Sequence, residues 1–211
     1  MLYRIGRWVL FPVMRILFRF RVIGRENLQI GHEKGFLLCS NHVSVCDPCF
    51  LAAACWPLFS KKESCHRPIR YMAKSELFTE HGKAAAWLLR SLGAFPVERD
   101  RADKSSLRKA CEILQKGEVL GIFPQGRCIK EPIPFRPKSG AALVACKTGT
   151  PLVPACIQVE GRLGLFSRVT VRIGKSFFLM PDEISLSEKE QVRCLSRRLA
   201  EKINMLLEEI F

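Results

Sequence analysis

Short apolar runs of strand length recur along the chain, at Phe36–Ser40, Ile69–Ala73, Ala94–Val97, Val119–Phe123, Leu152–Gln158 and Val169–Ile173. Between several of them lie stretches with helical apolar spacing: Pro48–Ala54, Lys83–Leu92, Lys104–Lys116 and Gly140–Lys147. Strands alternating with helices predict an α/β domain with a largely parallel sheet flanked by helices. The last segment repeats apolar residues at Val192, Leu195, Leu199, Ile203, Leu206 and Ile210, again a helical period. Ser187 followed by Glu190 reads as a capping box opening that helix, which is expected to cover the core. No repeat, low-complexity tract or linker interrupts residues 21–211, which read as one domain.

The first segment, residues 1–20, differs. It is rich in large apolar residues and punctuated only by arginine. On a helical wheel Arg4, Arg7, Arg15 and Arg19 share a sector of about 120°, with Trp8, Phe11 and Phe18 intruding on it. Such a segment reads as an amphipathic helix lying in a membrane interface, its arginines snorkelling to the headgroups. The other reading is a helix packed on the domain with arginines in water. No run of about 20 uninterrupted apolar residues exists, so a spanning helix is not expected.

Composition narrows the partners. Apolar residues at 48% and charged ones at 26% are ordinary globular values, whereas the formal charge of +14 points to a polyanion. An anionic membrane, a nucleic acid or an acidic substrate all satisfy that charge. The ten cysteines sit mostly inside apolar runs, as Cys39 and Cys156 do, and behave there as small hydrophobes. With no cleavable leader visible, they read as reduced cytosolic thiols.

One stretch carries chemistry. Ser40-Asn41-His42-Val43-Ser44-Val45-Cys46-Asp47-Pro48 follows a buried strand and precedes an apolar helix, which places it at a strand's carboxyl end, where open α/β sheets bind ligands. In a helix His42 and Asp47 would point about 140° apart. In a loop closing onto a helix start they meet, with Asp47 as N-cap and Pro48 at the first helical position. A carboxylate on one imidazole nitrogen fixes the tautomer and leaves the other nitrogen free to take a proton. Two later strands each run into a cation, Arg99 after Ala94–Val97 and Arg127 after Val119–Phe123, where a planar guanidinium suits a phosphate.

These blocks together resemble the lysophosphatidic acid acyltransferase family of the glycerophospholipid acyltransferases. Asn41-His42 with Asp47 is similar to its first motif, and Tyr71-Met72-Ala73-Lys74-Ser75-Glu76-Leu77-Phe78 to the block that follows. Gly93-Ala94-Phe95-Pro96-Val97-Glu98-Arg99 resembles the second motif, Phe123-Pro124-Gln125-Gly126 the third and Pro151-Leu152-Val153-Pro154 the fourth. Order and spacing agree from about Arg21 to Gln158. The resemblance implies transfer of a fatty acyl group from acyl-CoA or acyl-carrier protein to a lysophospholipid hydroxyl, most simply 1-acyl-sn-glycerol-3-phosphate. It implies His42 as base and Asp47 as its orienting carboxylate, with no metal and no cofactor beyond the donor. Asn41, Lys74, Arg99, Pro124, Gln125, Gly126 and Arg127 would bind substrate. It also implies a membrane-docked N-terminal helical segment, hence an enzyme held at the cytoplasmic face of the cell membrane, peripheral or monotopic. The third motif departs from the family's usual Phe-Pro-Glu-Gly-Thr-Arg: Gln125 replaces the glutamate, the arginine comes one place early at Arg127, and Cys128 fills its usual slot.

Other readings are weaker. Cys46 and Cys49 form a C-x-x-C, but a structural zinc site needs a second tight pair. Gly174-Lys175-Ser176 lacks the first glycine of a phosphate-binding loop, since position 169 is Val. A G-x-S-x-G elbow is absent. A non-catalytic basic module remains the rival in another class, supported by Lys61, Lys62, Arg67, Arg70 and Lys74, yet no nucleic-acid motif accompanies them.

Overall fold

The structure, a computed structural model, describes residues 12–30, 35–55, 69–80, 82–91, 93–97, 104–129 and 134–209. In chain order the elements are a helical stretch over residues 12–17 (α1), β1 Arg19–Ile23, β2 Phe36–Ser40, α2 Asp47–Ala54, β3 Ile69–Lys74 and α3 Gly82–Ser91. Then come β4 Ala94–Val97, α4 Lys104–Gln115, β5 Val119–Ile122, α5 Gly140–Thr148, β6 Leu152–Val159, β7 Arg168–Ile173 and α6 Glu188–Glu208.

The seven strands form one sheet in the order β1-β7-β6-β2-β5-β3-β4. Strands β2 to β6 run parallel, so their carboxyl ends share one edge. β7 turns back antiparallel on β6, and β1 pairs parallel with β7. The expected α/β architecture is therefore present.

A sheet covered by helices on both faces demands strands that are apolar on both sides, and β2 is buried along its whole length. Its side chains alternate between two cores. Leu37 and Cys39 join Leu120, Ile122 and Leu152 beneath α4, α5 and α6. Phe36 and Leu38 join Val119, Val153, Ile157, Val169 and Val171 against Phe50 and Leu51 of α2. Helix α6 contributes Leu195, Leu199 and Ile203 as a buried stripe, and its expected capping box is formed: Ser187 Oγ accepts from Glu190 N at 3.4 Å while Ser187 N donates to Glu190 Oε2 at 3.1 Å.

The N-terminal reading changes. Residues 1–11 lie outside the described residues, but helix α1 ends at 17 and Arg19 already belongs to β1, inside the segment expected to be helical to residue 20. The cause is in the residues: Phe18-Arg19-Phe20-Arg21-Val22 alternates apolar and charged with period two, the period of a strand. Phe18 and Phe20 both pack on Phe50, with ring centroids 5.2 and 5.9 Å away, and so seat β1 against α2. Among the described residues no helix is long and apolar enough to cross a membrane.

Gly121, in the middle of β5, fits because it has no side chain: a Cβ there would stand 2.3 Å from Cε1 of Tyr71 in the neighbouring strand β3. Replacing Gly121 by Ala should cost about 1–3 kcal/mol through overpacking, read as a lower denaturant midpoint in equilibrium unfolding.

Candidate active site

The loop from Asn41 to Cys46 leaves the carboxyl end of β2 and closes onto α2, as the sequence suggested. Its fold is dictated by one carboxylate. Asp47 is fully buried, and its Oδ2 accepts from His42 Nδ1 at 2.8 Å, Val43 N at 2.6 Å and Ser44 N at 2.8 Å. Asp47 does not cap α2; the helix starts from Cys46 without a side-chain cap. Three N–H groups of the preceding loop draw the carboxylate backward, so Asp47 is the first helical residue rather than the cap and Pro48 follows it in the first turn.

His42 is fixed on every side. Its backbone N donates to Gln125 Oε1 at 3.0 Å, and its carbonyl accepts from Ile129 N at 2.7 Å. Its ring stacks on Phe123, with centroids 4.3 Å apart and planes 21° from parallel, and Phe123 stacks in turn on Tyr71. The Tyr71 hydroxyl donates to the carbonyl of Pro48 at 3.0 Å and so closes the stack back onto α2. The His42 side chain keeps 17% exposure, enough for one ring edge to reach solvent or substrate. With Nδ1–H donated to Asp47, Nε2 is the nitrogen left to take a proton.

Asn41 is buried, and its amide bridges β2 to β6: Nδ2 donates to the Ile157 carbonyl at 2.9 Å and Oδ1 accepts from Ile157 N at 2.7 Å. Asn41 was expected to touch substrate; with both ends of its amide on the backbone of β6, it is a clamp holding the loop that carries His42. Pro124 is buried and accepts from Lys138 N at 2.8 Å. Gly126 adopts φ +73° beneath the Lys138 side chain, a turn that favours glycine. Lys74, at the end of β3, pairs with Glu76 at 2.7 Å. Arg99 lies outside the described residues.

Arg127 is exposed and lines a cavity of about 570 Å³ with Gln125, Ile129, Pro134, Arg136 and Lys138. Sequence reading missed Arg136 and Lys138. The signal was the recurrence of cations after the third motif, which singled out only the first of them. It also missed Phe123 and Tyr71 as the ring stack that sets the imidazole plane.

Burial, with Cys46 and Asp47 alongside, pushes the Cys49 thiol up to about 11, so it stays protonated at neutral pH. Among the described residues no group of three His, Cys, Asp or Glu side chains is placed to hold a metal.

Fold and site define a class: an α/β domain carrying a carboxylate-oriented histidine at the carboxyl edge of its sheet, beside a cationic cavity. The acyltransferase family model matches residues 19–158, more than half of the chain, and the chain belongs to that family. It is 31% identical over 189 residues to a 1-acyl-sn-glycerol-3-phosphate acyltransferase of Bacillus subtilis, covering 88% of this chain and 87% of that one. A protein of the same name from Streptococcus pneumoniae is 26% identical over 181 residues, which cover 85% of this chain and 63% of the relative. The fold is shared with the crystal structure of the 1-acyl-sn-glycerophosphate (LPA) acyltransferase PlsC from Thermotoga maritima, at a TM-score of 0.64 and 22% identity over 96% of this chain and 78% of that one.

Asn41→Ala tests the clamp. It strands the Ile157 N–H and carbonyl without partners, at about 1–3 kcal/mol each. The expected result is a lower unfolding midpoint together with a larger loss of kcat than of substrate affinity.

Proposed function

We propose that this chain transfers a fatty acyl group from acyl-CoA or acyl-carrier protein to the free hydroxyl of 1-acyl-sn-glycerol-3-phosphate, giving phosphatidic acid. The observation that carries the reading is the 2.8 Å contact between His42 Nδ1 and the buried Asp47 Oδ2, with the His42 backbone tied to Gln125, which lines a cationic cavity. The relatives named for this reaction share most of the chain's length and support it.

In this mechanism the acceptor hydroxyl gives its proton to His42 Nε2 as its oxygen attacks the thioester carbonyl. The tetrahedral intermediate then collapses. The C–S bond breaks, and the proton returns from the imidazolium to the departing sulfur, giving the free thiol of the donor and the new ester. Asp47 holds the tautomer and balances the imidazolium charge that forms during the step. Positioned base help of this kind supplies about 10²–10⁴ in rate.

The acceptor phosphate sits in the cavity of Arg127, Arg136 and Lys138, with Lys74 at the end of β3 and Arg99, which follows β4 in sequence, as further cations. The altered third motif fits this role. Gln125 accepts the His42 N–H with a neutral amide oxygen, so the position serves the backbone clamp without a negative charge beside the phosphate. The exposed Arg127 is long enough to face the cavity from its shifted place. The residues ahead of β1 dock the protein on an anionic leaflet at the cytoplasmic face, and the catalytic domain begins with β1 at Arg19 rather than at residue 21. Donor and lipid are substrates, and no further cofactor enters the mechanism.

His42→Ala should leave the fold intact and lower kcat by roughly 10²–10⁴, and Asp47→Asn should lower it strongly as well. Folding is checked by circular dichroism and rate by thiol release dependent on lysophosphatidic acid. A folded His42→Ala protein with native turnover rules out the base. Arg127→Ala should raise KM for the lysophosphatidic acid roughly 10- to 150-fold, the cost of a lost hydrogen bond to a charged group, and leave KM for the donor nearly unchanged.

A further inference from the structure

The connection between β6 and β7 lies at the same end of the sheet as His42, because β6 runs parallel to β2 and β7 returns from its far end. Its tip reads Gly161-Arg162-Leu163-Gly164-Leu165-Phe166-Ser167. Leu163 turns inward against the core, but Leu165 and Phe166 are 70% and 63% exposed. Phe166 has φ +64°, the one positive φ outside glycine among the described residues, and a conformation that bulky side chains disfavour. The tip is nonetheless well tied. Ser167 Oγ accepts from Gly164 N at 2.8 Å and donates to the Arg162 carbonyl at 3.1 Å. Phe166 N donates to the Leu17 carbonyl at 2.6 Å, which joins the tip to the end of α1.

At that junction α1 turns Met14 into the core and leaves Ile16 at 70% exposure, with Val13 also exposed. Arg15, Arg19 and Arg162 are exposed beside these apolar residues. The acidic residue at the foot of the hairpin, Glu160, is already paired with Arg168 at 3.0 Å. Two segments far apart in sequence thus present apolar side chains ringed by arginine on the edge that holds the His–Asp pair.

We propose that the hairpin tip, led by Leu165 and Phe166, inserts into the interface of an anionic phospholipid bilayer as a second anchor beside α1, turning the carboxyl edge of the sheet toward the leaflet. Apolar side chains that enter the acyl boundary, with arginines at headgroup level, are what an interfacial anchor requires. A second copy is the poorer occupant, since a symmetric contact would bring like-charged arginines together in a chain of formal charge +14. The proposal deepens the lipid-substrate reading and takes its motive from it: an acceptor anchored in the leaflet then reaches His42 by lateral movement.

The test uses the full chain with vesicles of phosphatidylcholine, with and without phosphatidylglycerol, and the double variant Leu165→Ser, Phe166→Asn. Asparagine tolerates positive φ, so the fold is not put at risk. A control pair, Phe178→Asn with Ile184→Ser, removes exposed apolar surface elsewhere on the domain, from residues that are 52% and 64% exposed. Partition onto phosphatidylglycerol vesicles should fall roughly ten- to hundredfold for the hairpin variant and stay unchanged for the control. Turnover of a short-chain lysophosphatidic acid dissolved as monomers should be kept by the hairpin variant, while turnover of a vesicle-embedded acceptor falls. Native-level partition of the hairpin variant, or an equal loss in the control, overturns the proposal. So does a native dimer, seen by size-exclusion chromatography, that the hairpin variant dissociates. Vesicle partition needs no catalysis: if the native chain acylates neither acceptor, the proposed reaction fails while the hairpin is still judged by its own result.

Discussion

A carboxylate removed from water is stable only where hydrogen-bond donors converge on it. Asp47 is fully buried, and it recruits three N–H groups from the five residues before it. That requirement bends residues 42–46 into a closed turn and decides where the imidazole stands. Charge and geometry are therefore one constraint: without the turn the aspartate has no partners, and without the aspartate the turn has no reason to close. The rest of the site reinforces it. Asn41 fastens the start of the loop to β6, while Gln125 and Ile129 fasten the His42 peptide from the far side of β2. Three neighbouring parallel strands, β6, β2 and β5, thus hold one residue.

The ring stack extends this control to orientation. Tyr71 lies over Gly121, Phe123 lies over Tyr71 and His42 lies over Phe123, so the absence of a side chain in the middle of β5 is transmitted to the imidazole plane. The cationic cavity follows from the same loop. The turn at Gly126 brings Arg127 and Lys138 near each other, and Gln125 belongs both to the cavity wall and to the His42 clamp. A glutamine can serve in this chain because what the clamp needs is an oxygen acceptor, which an amide supplies as well as a carboxylate does.

Much of this was legible in the residues. The strands at Phe36–Ser40 and Val119–Ile122 fall on their apolar runs, because strands buried on both faces leave unbroken hydrophobic stretches. The His42–Asp47 pairing was legible too, since only a loop brings side chains at that spacing together. β1 was not, because arginines at alternate positions fit a snorkelling helix as readily as an edge strand. The direction of the Asp47 carboxylate was hidden for a related reason: Asp before Pro suits a helix cap, and only the placement of Val43 N and Ser44 N shows that the loop takes the side chain instead. Asn41 sat in a motif read as substrate-binding, yet its partner is the backbone of Ile157, more than a hundred residues away. The cavity residues Arg136 and Lys138 were hidden among the many cations of a basic chain.

In the proposed mechanism Asp47 fixes the neutral imidazole of His42 with its proton on Nδ1, leaving Nε2 as the base. Long-range nitrogen–proton correlation spectra of the ¹⁵N-histidine-labelled protein, recorded above the imidazole pKa, read the tautomer directly. The account predicts the Nδ1–H form for His42 in the native protein, with that preference lost in Asp47→Asn. A native spectrum showing His42 protonated on Nε2 would contradict it.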